Sequence, residues 1–321
     1  MNIPALKKLA VLAGFFVLPA SAQVINNAVT PAIPGVTAGG LAIELIKDGF
    51  DGTEGPIGLA DGSFIFTETR AERIIQVDAH NQVSTFLEKS NGANGLAFNE
   101  DGELFAVQVL NPTVGIIYPK GHEKVLATEF EGKALQRPND IVIDKKGGIY
   151  FTDTGINATP ENPNPTDSRP AVYYLTPSGE LTQVANDIGR PNGIQLSKDE
   201  KTLYVANTLG EYVLAYDINK DGSIKNRQDF ARLQGWQDAP TGGSSGADGL
   251  AIDAEGRLYV ASNAGIEVFT EGGTQLGVIA IPQKPQNLAF AGKNKSFLYV
   301  VGRGAVYKFP VLTAGFQERA K

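Results

Sequence analysis

The chain has 321 residues, a formal net charge of −7, 20% charged residues and no cysteine. The acidic balance, without a basic tail, argues against a nucleic-acid partner, because phosphate binding needs clustered Lys and Arg. The absent thiols exclude disulfides, cysteine nucleophiles and thiolate metal sites, and 37 Gly with 18 Pro point to many turns.

The N-terminus reads as a secretory signal. Lys7 and Lys8 precede an apolar run from Leu9 to Leu18, short of the ~20 apolar residues that a bilayer span needs. Ala20-Ser21-Ala22 supplies a small-residue cleavage pattern. Residues 1–22 are therefore expected to be removed, leaving a periplasmic or secreted protein with no membrane contact. Residues 23–40 read as a loose lead-in, and 41–321 as one domain.

One unit then recurs six times: a polar residue, a small residue, an apolar strand, a turn and a second apolar strand. Glu54, Asn94, Asn139, Asn192, Asp248 and Gln286 open the copies, 38 to 56 residues apart. That spacing suits four-stranded propeller blades of about 40–50 residues with insertions. Asp61-Gly62, Asp101-Gly102, Lys146-Gly147 and Glu255-Gly256 read as hairpin turns. The last copy has room for three strands, while Leu41 to Lys47 alternates and lacks a blade of its own. The sequence predicts an all-β, six-bladed β-propeller closed by that N-terminal strand, which removes the exposed sheet edges.

Equivalent positions in such a ring share one height and radius. If the first strand of each copy is innermost, all six opening residues face the central channel, and all six carry side-chain oxygen. Asn, Asp and Glu are depleted in strands, so strand formation does not explain the choice. Hard oxygen donors with few charges suit calcium, with manganese, magnesium and zinc as alternatives. The only histidines, His80 and His122, lie in polar turn-like contexts. The second strands end at Glu68, Gln108, Asp153, Asn207, Ser262 and Gly302, an expected outer ring in which Glu68, Asp153 and Asn207 would orient the ligands. The segments 156–170 and 232–247 emerge on the same face and are candidate lids or specificity walls.

Glu54-Gly55-Pro56, Arg137-Pro138-Asn139-Asp140, Pro191-Asn192-Gly193 and Ala247-Asp248-Gly249-Leu250 stand in order on these repeat positions. With them the chain resembles the senescence marker protein (regucalcin), gluconolactonase and luciferin-regenerating enzyme family, over roughly Leu45 to Phe309. The resemblance implies a propeller with one catalytic divalent cation and hydrolysis of lactones, often sugar lactones. It implies Glu54, Asn192 and Asp248 as metal ligands with Asn139 close by, and Arg137 on the substrate. We expect Asn94 and Asn139 to join Arg137 in binding substrate. Two features depart from the family: Gln108-Val109-Leu110-Asn111 after the second repeat, and Arg190 ahead of Pro191-Asn192.

Asp248 is expected to serve as ligand and as the base that takes a proton from water. Gly242-Gly243-Ser244-Ser245-Gly246 has G-x-S-x-G spacing but reads as a Gly-rich loop with no base to activate its serines, and no Ser-His-Asp arrangement is plausible with both histidines in turns. A calcium-binding propeller that only holds a ligand or partner, and a strictosidine synthase-like propeller that hydrolyses nothing, are the competing readings. The expected partner is a small molecule; oligomeric state is not legible.

Overall fold

A computed structural model describes residues 28–319 except 164 and 241. The expected signal, 1–22, lies outside the described residues. Six four-stranded antiparallel sheets form the blades of a propeller. Their inner strands are Thr53–Gly58, Ala93–Phe98, Pro138–Ile143, Pro191–Leu196, Leu250–Ile252 and Asn287–Ala291. In blades 1 to 5 the second, third and outer strands follow in chain order. Among the described residues no helix is long and apolar enough to cross a membrane.

Blade 6 receives its outer strand from the N-terminal Glu44–Lys47, which pairs antiparallel with Ala305–Pro310. This is the predicted closure, on a strand shorter than Leu41–Lys47. The difference has a local cause: Ala42 bridges Val29, and the Ile43 N–H donates to the Ala28 carbonyl at 2.8 Å. Those residues pair with the preceding segment instead of the blade. Across the closing seam, Phe64 of blade 1 stacks on Tyr299 of blade 6, centroids 4.6 Å apart. The outer strands are the more exposed; Lys124–Ala127 of blade 2 has one buried residue, whereas the inner Pro138–Ile143 is buried throughout. The hydrophobic clusters lie between successive blades, as where Tyr150, Val172 and Tyr174 of blade 3 meet Ile194, Leu203 and Leu214 of blade 4.

The lead-in is not loose from residue 28 onward. Ile33 and Val36 are buried in the blade 5 and 6 core, with Ile266, Val268 and Leu288. The Gly35 carbonyl accepts from Arg257 Nη1 at 3.1 Å and Thr313 Oγ1 at 2.7 Å. Pro34 and Gly35 signal a turn, which hides the two apolar anchors flanking it. Ile33→Ala should therefore lower unfolding free energy by ~2–4 kcal/mol in a urea titration, as a core truncation does. A change under about 0.5 kcal/mol, ordinary for an exposed position, would contradict the anchoring.

Candidate metal and active site

The mouth is built by a defect repeated in the inner strands. Pairing between first and second strands slips between Glu54 and Ile57, Ala93 and Leu96, Pro138 and Ile141, and Pro191 and Ile194. A bulge unpairs the ladder and re-aims side chains, which explains how strand-averse Glu and Asn are tolerated there. In blade 5 the regular strand starts only at Leu250, just past Asp248-Gly249.

The small residue after each opening residue lets neighbouring blades touch. Gly55 has φ +48°, and a Cβ there would lie 1.8 Å from the Asn94 carbonyl oxygen; one on Gly193 would lie 2.1 Å from that of Asp248. Blades 3 and 6 replace this glycine by Asp140 and Asn287. Asp140 turns its carboxylate sideways to accept the Ile194 N–H of blade 4 at 3.1 Å. Asn287 donates to Glu54 Oε2 at 3.2 Å, and Gln286 donates to Oε1 at 3.1 Å. Both residues of the sixth copy thus hold the carboxylate of the first.

Asn192 is held from one side only. Its Nδ2 donates to Thr208 Oγ1 at 3.1 Å, and that hydroxyl donates to the Ala247 carbonyl at 2.7 Å. The chain of bonds couples Asn192 to the backbone next to Asp248. Asn192 Oδ1 and Asp248 Oδ1 are both buried without a hydrogen-bond partner, each at a typical cost of ~1–3 kcal/mol. Burial pushes the Glu54 carboxyl up to about 7, with Asp140 adding repulsion. Asp248 is raised well above the usual carboxylate range, by burial first and then by Glu54 and Asp140. Charge and lone pairs thus lack partners at one place, and a cation would supply them. The donors are carboxylates and amide oxygens, which fit a hard ion such as calcium. Among the described residues no three His, Cys, Asp or Glu side chains form a metal-holding group, so amide oxygens would have to complete the set. Glu54, Asn192 and Asp248 would hold the ion, with Asn139 beside them.

The other expected site residues divide into two kinds. Asn139 makes no side-chain hydrogen bond among the described residues, whereas Asn94 is spent inside the wall. Its Nδ2 donates to the Asn139 carbonyl at 3.0 Å and its Oδ1 accepts from Thr69 at 3.3 Å. Glu68, Asp153 and Asn207 act through backbone. Glu68 accepts the Asp51 N–H, Asp153 those of Gln136, Arg137 and Gly155, and Asn207 that of Arg190. Each pins the chain two or three residues ahead of Glu54, Asn139 or Asn192. Glu68 also pairs with Arg73.

Sequence reasoning missed Asp140 and Asn287 as site residues, although their replacement of a repeated glycine was a readable signal. It also missed Glu267, whose buried carboxylate accepts the N–H groups of Gln234 and Gly235 and so anchors the 232–247 segment. Glu267 lies on a third strand, where the repeat gave no cue. Both candidate wall segments are tied down. Ser244 and Ser245 bond to the Thr208 and Asn207 carbonyls, and Asn157 accepts from Arg190 Nη2 at 2.6 Å. His122 pairs with Glu103 and is mostly exposed, as its turn context suggested.

Residues 52–303 match the SMP-30/gluconolactonase/LRE-like region. The gluconolactonase of Zymomonas mobilis is 26% identical, over 85% of this chain and 82% of its own. Regucalcin of Pongo abelii is 27% identical, over 75% of this chain and 79% of its own. The solved structure of a gluconolactonase from Xanthomonas campestris superimposes with a TM-score of 0.75 at 25% identity, covering 88% of this chain and 94% of that one.

The crowded carboxylates make a pH prediction for the metal-free protein. Glu54 keeps its proton to about pH 7 when folded, against 4.5 ordinarily. A raised carboxyl contributes stability that is complete below its unfolded pKa and lost as pH rises through the folded one. The loss is on the order of 3 kcal/mol, and Asp248 acts in the same direction. Denaturant titrations of chelated protein from about pH 5 to about pH 8 should show wild type falling relative to Glu54→Gln. Parallel pH profiles would contradict the assigned burden on Glu54.

Proposed function

The chain belongs to the SMP-30/gluconolactonase/LRE-like family and is a lactonase- or esterase-type hydrolase; on that premise we propose that it opens lactones, sugar lactones first, with a divalent cation in its mouth. The observation that carries this reading is the pair of buried, partnerless oxygens on Asn192 and Asp248 beside the strained Glu54 carboxyl. When bound, the cation would supply Lewis acidity to the carbonyl and to the charge developing on its oxygen.

The protein's own groups do the rest. Gln286 and Asn287 fix both oxygens of Glu54, and the Thr208 link fixes Asn192. Rigid donors need little reorganisation as charge develops. In this reading Asp248 takes the proton from water. Its Oδ1 accepts nothing from the wall, so its carboxylate has lone pairs to offer both the ion and the proton of water. Asn139 has a free amide for substrate oxygen. Arg137, whose backbone Asp153 pins at 2.9 Å, presents a guanidinium with no hydrogen-bond or ion-pair partner among the described residues. With the signal expected at residues 1–22, we further propose that this activity lies outside the cytoplasm.

Asp248→Asn keeps an oxygen donor and removes the base. It should retain metal by mass spectrometry and lose roughly 10²–10⁴-fold in kcat. Arg137→Ala should act mainly on KM, as uniform binding does. Chelation should abolish acid release from a lactone panel and lower Tm, because a ligand that binds only the folded state stabilises it. Full activity after exhaustive chelation would overturn the metal-dependent reading; metal and thermal shift without hydrolysis would leave a binding propeller.

A further inference from the structure

The cations of the mouth face fall into two sets. Arg70, Arg73 and Arg232 each pair with a carboxylate, on Asp51, Glu68 and Glu211 respectively. Arg137, Arg190, Lys284 and Arg303 form no salt bridge among the described residues. Arg190 reaches only the Asn157 amide oxygen, and Lys284 only that of Asn263. Lys284 lies by Gly246, where a Cβ would come within 2.7 Å of Nζ. The Arg303 N–H is held by Gln286 Oε1 at 2.8 Å, the residue whose Nε2 holds Glu54. These groups therefore ring the mouth of a protein whose net charge is −7.

The simple account is that they balance Glu54, Asp140 and Asp248. It fails once those carboxylates have a divalent cation, because a single net negative charge then faces four unpaired positive ones. Arg137 and Arg190 stand at equivalent places, directly before Pro138 and Pro191 and two residues ahead of Asn139 and Asn192, and both are part-buried. Part-buried guanidinia that form no ion pair with the wall are explained by an anion that arrives from solvent. Arg137 and Arg190 lead into the adjacent inner strands of blades 3 and 4, so the two arginines enter the mouth face on neighbouring blades. Guanidinium forks suit planar or tetrahedral oxyanions.

We propose that the lactone taken by this mouth carries a second, permanently ionised acidic group, a carboxylate or a phosphate, seated between Arg137 and Arg190. This rests on the hydrolase reading above and narrows its substrate class from neutral sugar lactones to acidic ones. Arg190 is then the specificity determinant that the repeat motifs left unassigned.

The test compares three calcium-loaded assays of acid release: a neutral aldonolactone, the lactone of the corresponding aldaric acid, and a phosphorylated aldonolactone. At least one acidic lactone should show kcat/KM about 10-fold or more above the neutral one, and the two acidic arms separate carboxylate from phosphate. Arg190→Gln should cost that substrate roughly 10–100-fold and more than it costs the neutral one, and added salt should erode the preference. A neutral lactone preferred over both acidic ones, or an equal loss on all three, would overturn the proposal. If no lactone is turned over, the hydrolase reading fails separately. Calorimetry of calcium-loaded protein with gluconate, glucarate and 6-phosphogluconate then decides. Tighter binding of glucarate or 6-phosphogluconate than of gluconate, weakened in Arg190→Gln, supports the anion site, and equal affinities reject it.

Discussion

Two buried carboxylates in one electrostatic neighbourhood, Glu54 and Asp248, set the terms for the rest of this molecule. Each is raised by the loss of water and by the other charges around it. A carboxylate left buried and unpaired costs several kcal/mol, so the scaffold must hold these groups where they would not stay by themselves. The closed ring does so by distributing the burden. Blade 6 clamps Glu54 through two amides, and blade 4 ties Asn192 to the strand leading to Asp248. The hydrophobic stabilisation lies elsewhere, between the blade faces. Strain at the axis is thereby carried by packing far from it.

A division of labour follows along the radius. Inner-strand bulges present side chains to the mouth. The ends of second strands, at Glu68, Asp153 and Asn207, fix the backbone that leads into those bulges. Beyond them lie the cations, some paired with carboxylates and some not, which in the proposed reading would change what can approach the centre without altering it. In the proposed reading, such layering would let substrate choice vary while the ligand set stays fixed. It also explains why Asn94, in the same ring as the ligands, is a brace: its amide joins blade 3 to blade 1.

The fold was legible because repetition amplifies weak signals. No single copy of the unit identifies a blade, but six polar opening residues in phase locate the axis, and the orphan strand at the N-terminus identifies how the ring closes. The candidate site was legible to the extent that its residues reuse repeat positions: Glu54, Asn139, Asn192 and Asp248 all fall on them. What stayed hidden depends on individual rather than repeated contacts. Ile33 and Val36 find the core only because the chain folds back between blades 5 and 6. Glu267 supports a wall from a third strand, and the pairing state of Arg190 depends on which carboxylates happen to lie nearby. None of these carries a period, so no pattern in the sequence announces them.

The claim on which the account turns is that the mouth is an oxygen cage for a cation. A crystal structure of the calcium-soaked protein, with anomalous difference density to identify the ion, addresses it directly. The account predicts one ion bound by Asn192 Oδ1, Asp248 Oδ1 and Glu54, at the ~2.3–2.6 Å usual for calcium and oxygen. A mouth without an ion at saturating calcium, or an ion held elsewhere with Asn192 and Asp248 still partnerless, would contradict it.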